Sequence, residues 1–92
     1  MYLDTPTKFY EIFKKQADVY IHYGRLPSMT TQLPFGSFLL YNFPNAKDAK
    51  LFYDKQIDDK NKKGYIVRKT VQTYNMKWML KNATPKIKNK YK

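Results

Sequence analysis

Three neighbouring residues near the start of the chain could act together: Tyr23, Gly24 and Arg25, which close the run Ile21-His22-Tyr23-Gly24-Arg25. A tyrosine ring offers a flat face to a sugar or base. A glycine lets another backbone come close, and a guanidinium group can fork onto a phosphate or carboxylate. This is recognition chemistry rather than bond-breaking chemistry. The other reactive residue types are less well placed. His22 is the lone histidine in a chain without cysteine; with no carboxylate cluster at metal-ligand spacing, it is expected as a strand surface residue. Asp58 and Asp59 follow Asp54 and alternate with Lys55, Lys60 and Lys62, which reads as surface ion pairs on a helix rather than acid/base or metal chemistry. Ser28 and Ser37 have no histidine at a workable spacing, and Gly24, Gly36 and Gly64 are too far apart to form a phosphate-cradling loop. No catalytic residue, cofactor, metal or small-molecule substrate is therefore expected, and the chain reads as a non-enzyme.

Charge points to the partner. The 92 residues carry a net charge of +11. Residues 1–59 balance seven basic against seven acidic side chains, whereas residues 60–92 hold ten lysines and Arg68 with no acid at all. Such asymmetry fits a polyanion, nucleic acid before an anionic membrane. A membrane surface is disfavoured because the lysines do not fall on an amphipathic helix, and the longest apolar run, Phe38 to Tyr41, is far too short to span a bilayer. With no cysteine and no signal-like N-terminus, the expected location is intracellular (nucleus, cytoplasm or virion) and not secreted. The Asn82-Ala83-Thr84 acceptor spelling is discounted on the same ground.

Alternation and punctuation give the elements that must position these residues. Residues 1–7 read as a short lead interrupted by Pro6. Lys8 to Lys14 alternates as a strand, with Phe9, Glu11 and Phe13 on one side and Tyr10 and Ile12 on the other. Lys15 to Asp18 is a hairpin loop. Val19 to Tyr23 is the second strand, with Tyr23 on the face of Val19 and Ile21. Leu26 to Pro34 reads as a loop and contact arm. Gly36 to Phe43 is a third strand whose apolar run suggests a central position. Asn45 caps a helix with Asp48 three residues on; Ala49, Phe52, Tyr53, Gln56, Ile57 and Lys60 form its stripe, and Gly64 closes it. Tyr65 to Tyr74 alternates as a long basic fourth strand. Residues 75–81 read equally as strand or as a short helix involving Met79 and Leu80. The expected fold is α+β, a small antiparallel sheet of about four to five strands with one helix packed on one face. Residues 1–82 form the domain, and residues 83–92 form a disordered or loosely docked basic tail.

The pattern resembles the WGR domain, a DNA-binding module of poly(ADP-ribose) polymerases and related bacterial and viral proteins. The likeness rests on Lys8-Phe9-Tyr10-Glu11, on Val19-Tyr20 leading to Tyr23-Gly24-Arg25, on Phe43 before the helix, and on Ala49, Phe52 and the helix end Lys60, Lys63, Gly64 and Tyr65, covering about residues 8–66. Tyr23 stands where the family has tryptophan, and Pro27 where it has glycine. The resemblance implies a non-catalytic module in which Tyr23 packs on the sugar or backbone near a DNA end and Arg25 meets phosphate or a partner domain.

Together these readings predict a sequence-independent nucleic-acid-binding accessory or architectural module, DNA favoured over RNA, that contacts phosphate and backbone through Tyr23, Gly24, Arg25, Arg68, Lys69, Lys81, Lys86, Lys88 and Lys90. The alternative is a protein–protein interaction module that docks as a small subunit on a larger nucleic-acid-processing or viral assembly.

Overall fold

A computed structural model describes residues 1–25, 36–68 and 79–88. The elements run in the order β1 (Tyr2–Asp4), β2 (Lys8–Lys15), β3 (Asp18–Arg25), β4 (Ser37–Asn42), α1 (Ala46–Lys62), β5 (Ile66–Val67) and β6 (Lys86–Ile87). Among the described residues they form one six-stranded sheet in the order β5-β1-β2-β3-β4-β6. All pairs are antiparallel except β4 with β6, which is parallel. The α+β expectation holds, with more strands than expected.

The β2–β3 hairpin is the frame. Its turn is only Gln16 and Ala17, so Lys15 pairs with Asp18 and every later pair follows, through Tyr10 with Tyr23 to Lys8 with Arg25. Gln16 takes φ 55°, the left-handed backbone such a tight turn needs. Alternation then sorts the side chains onto two faces. Leu3, Tyr10, Ile12, Val19 and Ile21 pack under α1, with Ala49 fully buried among them and Phe52, Tyr53 and Ile57 alongside. This is the stripe that the three- and four-residue spacing predicts.

The helix ends as its sequence requires. The Asn45 side chain accepts from the Asp48 amide at 2.8 Å. At the other end, Tyr65 N–H donates to Lys60 O at 3.0 Å and Gly64 N–H to Asn61 O at 3.1 Å. With Gly64 at φ 96°, these crossed bonds are a Schellman closure.

Four sequence expectations change. First, the lead is not irregular: Tyr2–Asp4 is a strand on β2. Pro6 sits in the tight turn between them, where Thr5 Oγ1 accepts from the Thr7 and Lys8 amides; a proline that cannot continue a strand can still make the turn that pairs two. Second, the segment after residue 83 is not wholly a tail: it adds β6 beside β4, so that β4 lies inside the sheet, one strand from its edge. Lys86–Ile87 pairs with Leu39 and Leu40, and Lys88 N–H donates to Leu40 O at 2.7 Å. Third, the fourth strand is seen only as Ile66–Val67 on β1; residues 69–78 lie outside the described residues. Residues 79–82 are helical.

Fourth, His22 is not a surface residue. It is fully buried, as is Glu11 across the hairpin, and His22 Nδ1 lies 2.9 Å from Glu11 Oε1. The sheet face away from α1 is also covered: Phe38 and the buried Met79 pack there with Tyr20 and Ala83, and Phe9 and Phe38 meet the imidazole edge-on. Alternation assigned both residues to this face but could not show that it was roofed.

Two substitutions test this frame. A Cβ on Gly36 (φ 77°) would collide with the Tyr23 carbonyl oxygen, whereas one on Gly64 would meet nothing within 4 Å. Gly36→Ala should therefore lose more stability in urea denaturation than Gly64→Ala, whose cost is about 1–2 kcal/mol from backbone conformation alone. Truncating His22 to alanine should cost about 2 kcal/mol or more, because Glu11 is left buried without this partner; the double variant with Glu11→Leu should recover part of that loss.

Candidate nucleic-acid interface

Gly24 has a structural reason to be glycine. An added Cβ would sit 3.0 Å from Phe9 Cε1 and 3.1 Å from Gly36 Cα. The close backbone approach expected at this position is made by Gly36, the residue just ahead of β4. It draws the end of β3 against the start of β4 and leaves Tyr23 and Arg25 projecting on the α1 side of the sheet.

Tyr23 shares that face with Val19 and Ile21, yet it is 41 % exposed where they are buried. It lies beyond the apolar part of the helix stripe, level with the last turn of α1. There its ring rests beside Tyr10, with centroids 6.5 Å apart. Tyr65, delivered by the helix closure, meets the same Tyr10 ring edge-on at 6.3 Å. Tyr10 is buried as the floor between them; its hydroxyl donates to Gln56 Oε1 at 3.3 Å, and burial pushes its pKa upward.

Three cations converge on these rings. Arg25 lies directly across the hairpin from Lys8, and like charges so placed repel. Lys60 Nζ lies 4.7 Å from the Tyr10 centroid and 5.2 Å from that of Tyr65, close enough for cation–π attraction. Burial, then the ammonium groups of Lys63 and Lys8, hold the Lys60 amine below the ordinary lysine value. Lys8, Tyr23, Gly24, Arg25, Lys60 and Tyr65 line a cavity of about 290 Å³. A second hollow of about 200 Å³ runs from Tyr23 and Lys60 toward Tyr41 and Gln56.

The contrast with α1 is informative. Lys50, Lys55 and Lys62 each pair with an aspartate one turn away, Asp54, Asp59 and Asp58. The pairs of Lys55 and Lys62 are those the sequence implies; Lys60, expected among them, instead lies over the Tyr10 and Tyr65 rings. Among the described residues, Lys8, Arg25 and Lys60 have no carboxylate within salt-bridge distance.

The other expected contact residues do not join this corner as one surface. Arg68 sits beside β5, and its Nε donates to Asp4 Oδ1 at 2.8 Å, so a carboxylate already occupies its fork. Lys86 and Lys88 lie on and beside β6, at the edge opposite to Arg68 and two strand spacings from β3, on the order of 10 Å to the side, and they line neither hollow at the corner. Lys81 is exposed on the helical segment 79–82, which covers the other sheet face. Lys69 and Lys90 lie outside the described residues, as does the Leu26–Pro34 loop.

Sequence reasoning did not include Lys8, Lys60 and Tyr65 among the site residues, though two signals pointed to them. The two-residue turn places Lys8 opposite Arg25 by counting, and Gly64 as the helix-closing glycine brings Tyr65 back over Lys60. No protein-family model, no curated protein and no solved structure matches the chain.

The crowding of positive charge has a measurable consequence. Lys8→Gln should raise the pKa of the Lys60 amine, read by NMR titration. It should also stabilise the fold by a few tenths of a kcal/mol at low salt, a gain that shrinks as salt screens the repulsion.

Proposed function

We propose that this chain is a nucleic-acid-binding accessory or architectural module, taking DNA in preference to RNA, that grips phosphate and backbone without reading sequence. The observation that supports it most is the corner at Tyr23: three cations without carboxylate partners among the described residues, gathered around two accessible tyrosine rings. A like-charge cluster is costly to the free protein and becomes favourable when a polyanion arrives. The WGR-like pattern falls on these same residues, and we read the domain as WGR-like in use as well as in sequence. Lys81, Lys86 and Lys88, at and near the far edge, would extend the electrostatic footprint without belonging to the corner.

One observation favours a second reading, a protein-docking module. Leu51 is 62 % exposed on the outer side of α1 and, with Phe43, Phe52, Asp48 and Lys55, lines a hollow of about 290 Å³. Apolar surface of this kind suits a protein partner better than a phosphate chain.

Titration with duplex DNA across a range of salt separates the two. For the nucleic-acid reading, log K should fall against log[salt] with a slope of several units, and neutralising Lys8, Arg25 and Lys60 to glutamine should reduce that slope by about two to three. Leu51→Ser should leave it unchanged. A slope near zero would remove the nucleic-acid reading and leave the docking reading.

A further inference from the structure

We infer that the cavity at the Tyr23 corner holds a single unstacked nucleotide, its ring against Tyr23 and Tyr65 and its phosphate among Lys8, Arg25 and Lys60, so that single strands or frayed ends are preferred to paired duplex. This rests on the nucleic-acid reading and narrows it to a ligand class.

A duplex can offer only part of what this corner takes. Its phosphates are outside, but the faces of its bases are already stacked, so it can satisfy the three cations and leave the tyrosines unused. An unstacked base offers a free π-face, and aromatic stacking on it tolerates any sequence. Tyr23 and Tyr65 are set for that role. Both rest on the Tyr10 ring, at 6.5 and 6.3 Å between centroids, and both line the same cavity. Tyr10 is itself buried and held by Gln56, which gives the pair a fixed floor. A space of about 290 Å³ is at the small end of ligand sites, roughly 300–1,000 Å³, which suits one nucleotide and not a base pair.

Lys60 links the two halves of the ligand. Its ammonium lies over two rings rather than against a carboxylate, half-buried beside Lys8. Cation–π contact replaces only part of the hydration it has lost, so an arriving phosphate has more to give there than on an open lysine. The second hollow, lined by Tyr41, Gln56 and Leu39 and sharing Tyr23 and Lys60 with the first, would receive a larger ring or the neighbouring sugar.

The same chemistry is present in a strand and in a free nucleotide, and the test distinguishes them. The full chain is titrated with labelled oligothymidylate of about 12 nucleotides and with the matching duplex, by fluorescence anisotropy at several salt concentrations. Thymidine monophosphate is titrated separately by calorimetry. The single strand should bind about ten-fold or more tightly than the duplex at equal salt. Tyr23→Leu, at an exposed position, should weaken the single strand by about five-fold or more, a larger loss than for the duplex, while the salt slope, set by the cations, stays the same. Lys60→Gln should weaken both and lower the slope. Saturable binding of the monophosphate that is lost in Tyr23→Leu would point to a free nucleotide as a source, and its absence beside tight strand binding would point to the strand alone. Equal affinity for strand and duplex, untouched by Tyr23→Leu, would overturn the pocket while leaving salt-dependent binding intact. Monophosphate binding without any salt-dependent binding of either polymer would keep the pocket and remove the nucleic-acid reading. No binding of any of the three ligands would overturn both.

Discussion

The structure depends on the register of one hairpin. A turn of two residues pairs Lys15 with Asp18, and from there each residue of β2 has one partner on β3. Slipping the register by a single residue would send every side chain of the slipped strand to the other face. Here both faces are committed, one to the apolar cluster beneath α1 and the other to Phe9, Glu11, His22 and Phe38. A slipped β2 would drive the Glu11 carboxyl under the helix and separate it from His22. The buried pair therefore acts as a polar key in an otherwise apolar sheet.

The same register assembles the corner. Counting outward from the turn sets Lys8 against Arg25 and Tyr10 against Tyr23, and the closure of α1 at Gly64 returns Tyr65 to the Tyr10 ring. Neither device is directed at a ligand; each is ordinary backbone bookkeeping. Their intersection nevertheless gathers three positive charges around exposed aromatic surface, a local arrangement that folding alone does not favour. Departures from locally favourable design of this sort are where binding sites are found.

Net charge and local charge describe different things in this chain. The excess of +11 lies wholly after residue 59, which directs attention to the C-terminal lysines. Yet two of the three corner cations, Lys8 and Arg25, come from the balanced part of the chain, while Arg68 from the unbalanced part is tied to Asp4. A count of charges along the sequence reports the far field that draws in a polyanion; only the pairing of strands reports where charges go without a carboxylate.

Much of the fold could be read from residue order. Apolar spacing, Asn45 and Gly64 located the helix at both ends because capping is local chemistry. Alternation and a short polar gap located the hairpin because a strand's faces repeat every second residue. What residue order could not supply was coverage and adjacency. His22 looked like a surface residue because nothing local shows that Met79 and Phe38 roof its face, and Tyr23 could as well have been core, since its parity matches Ile21. Its exposure follows from where the apolar stripe of α1 stops, which depends on how helix and sheet dock. Likewise Lys86–Ile87 became an edge strand because the unpaired backbone of β4 was within reach, a long-range hydrogen-bonding demand that no short window contains.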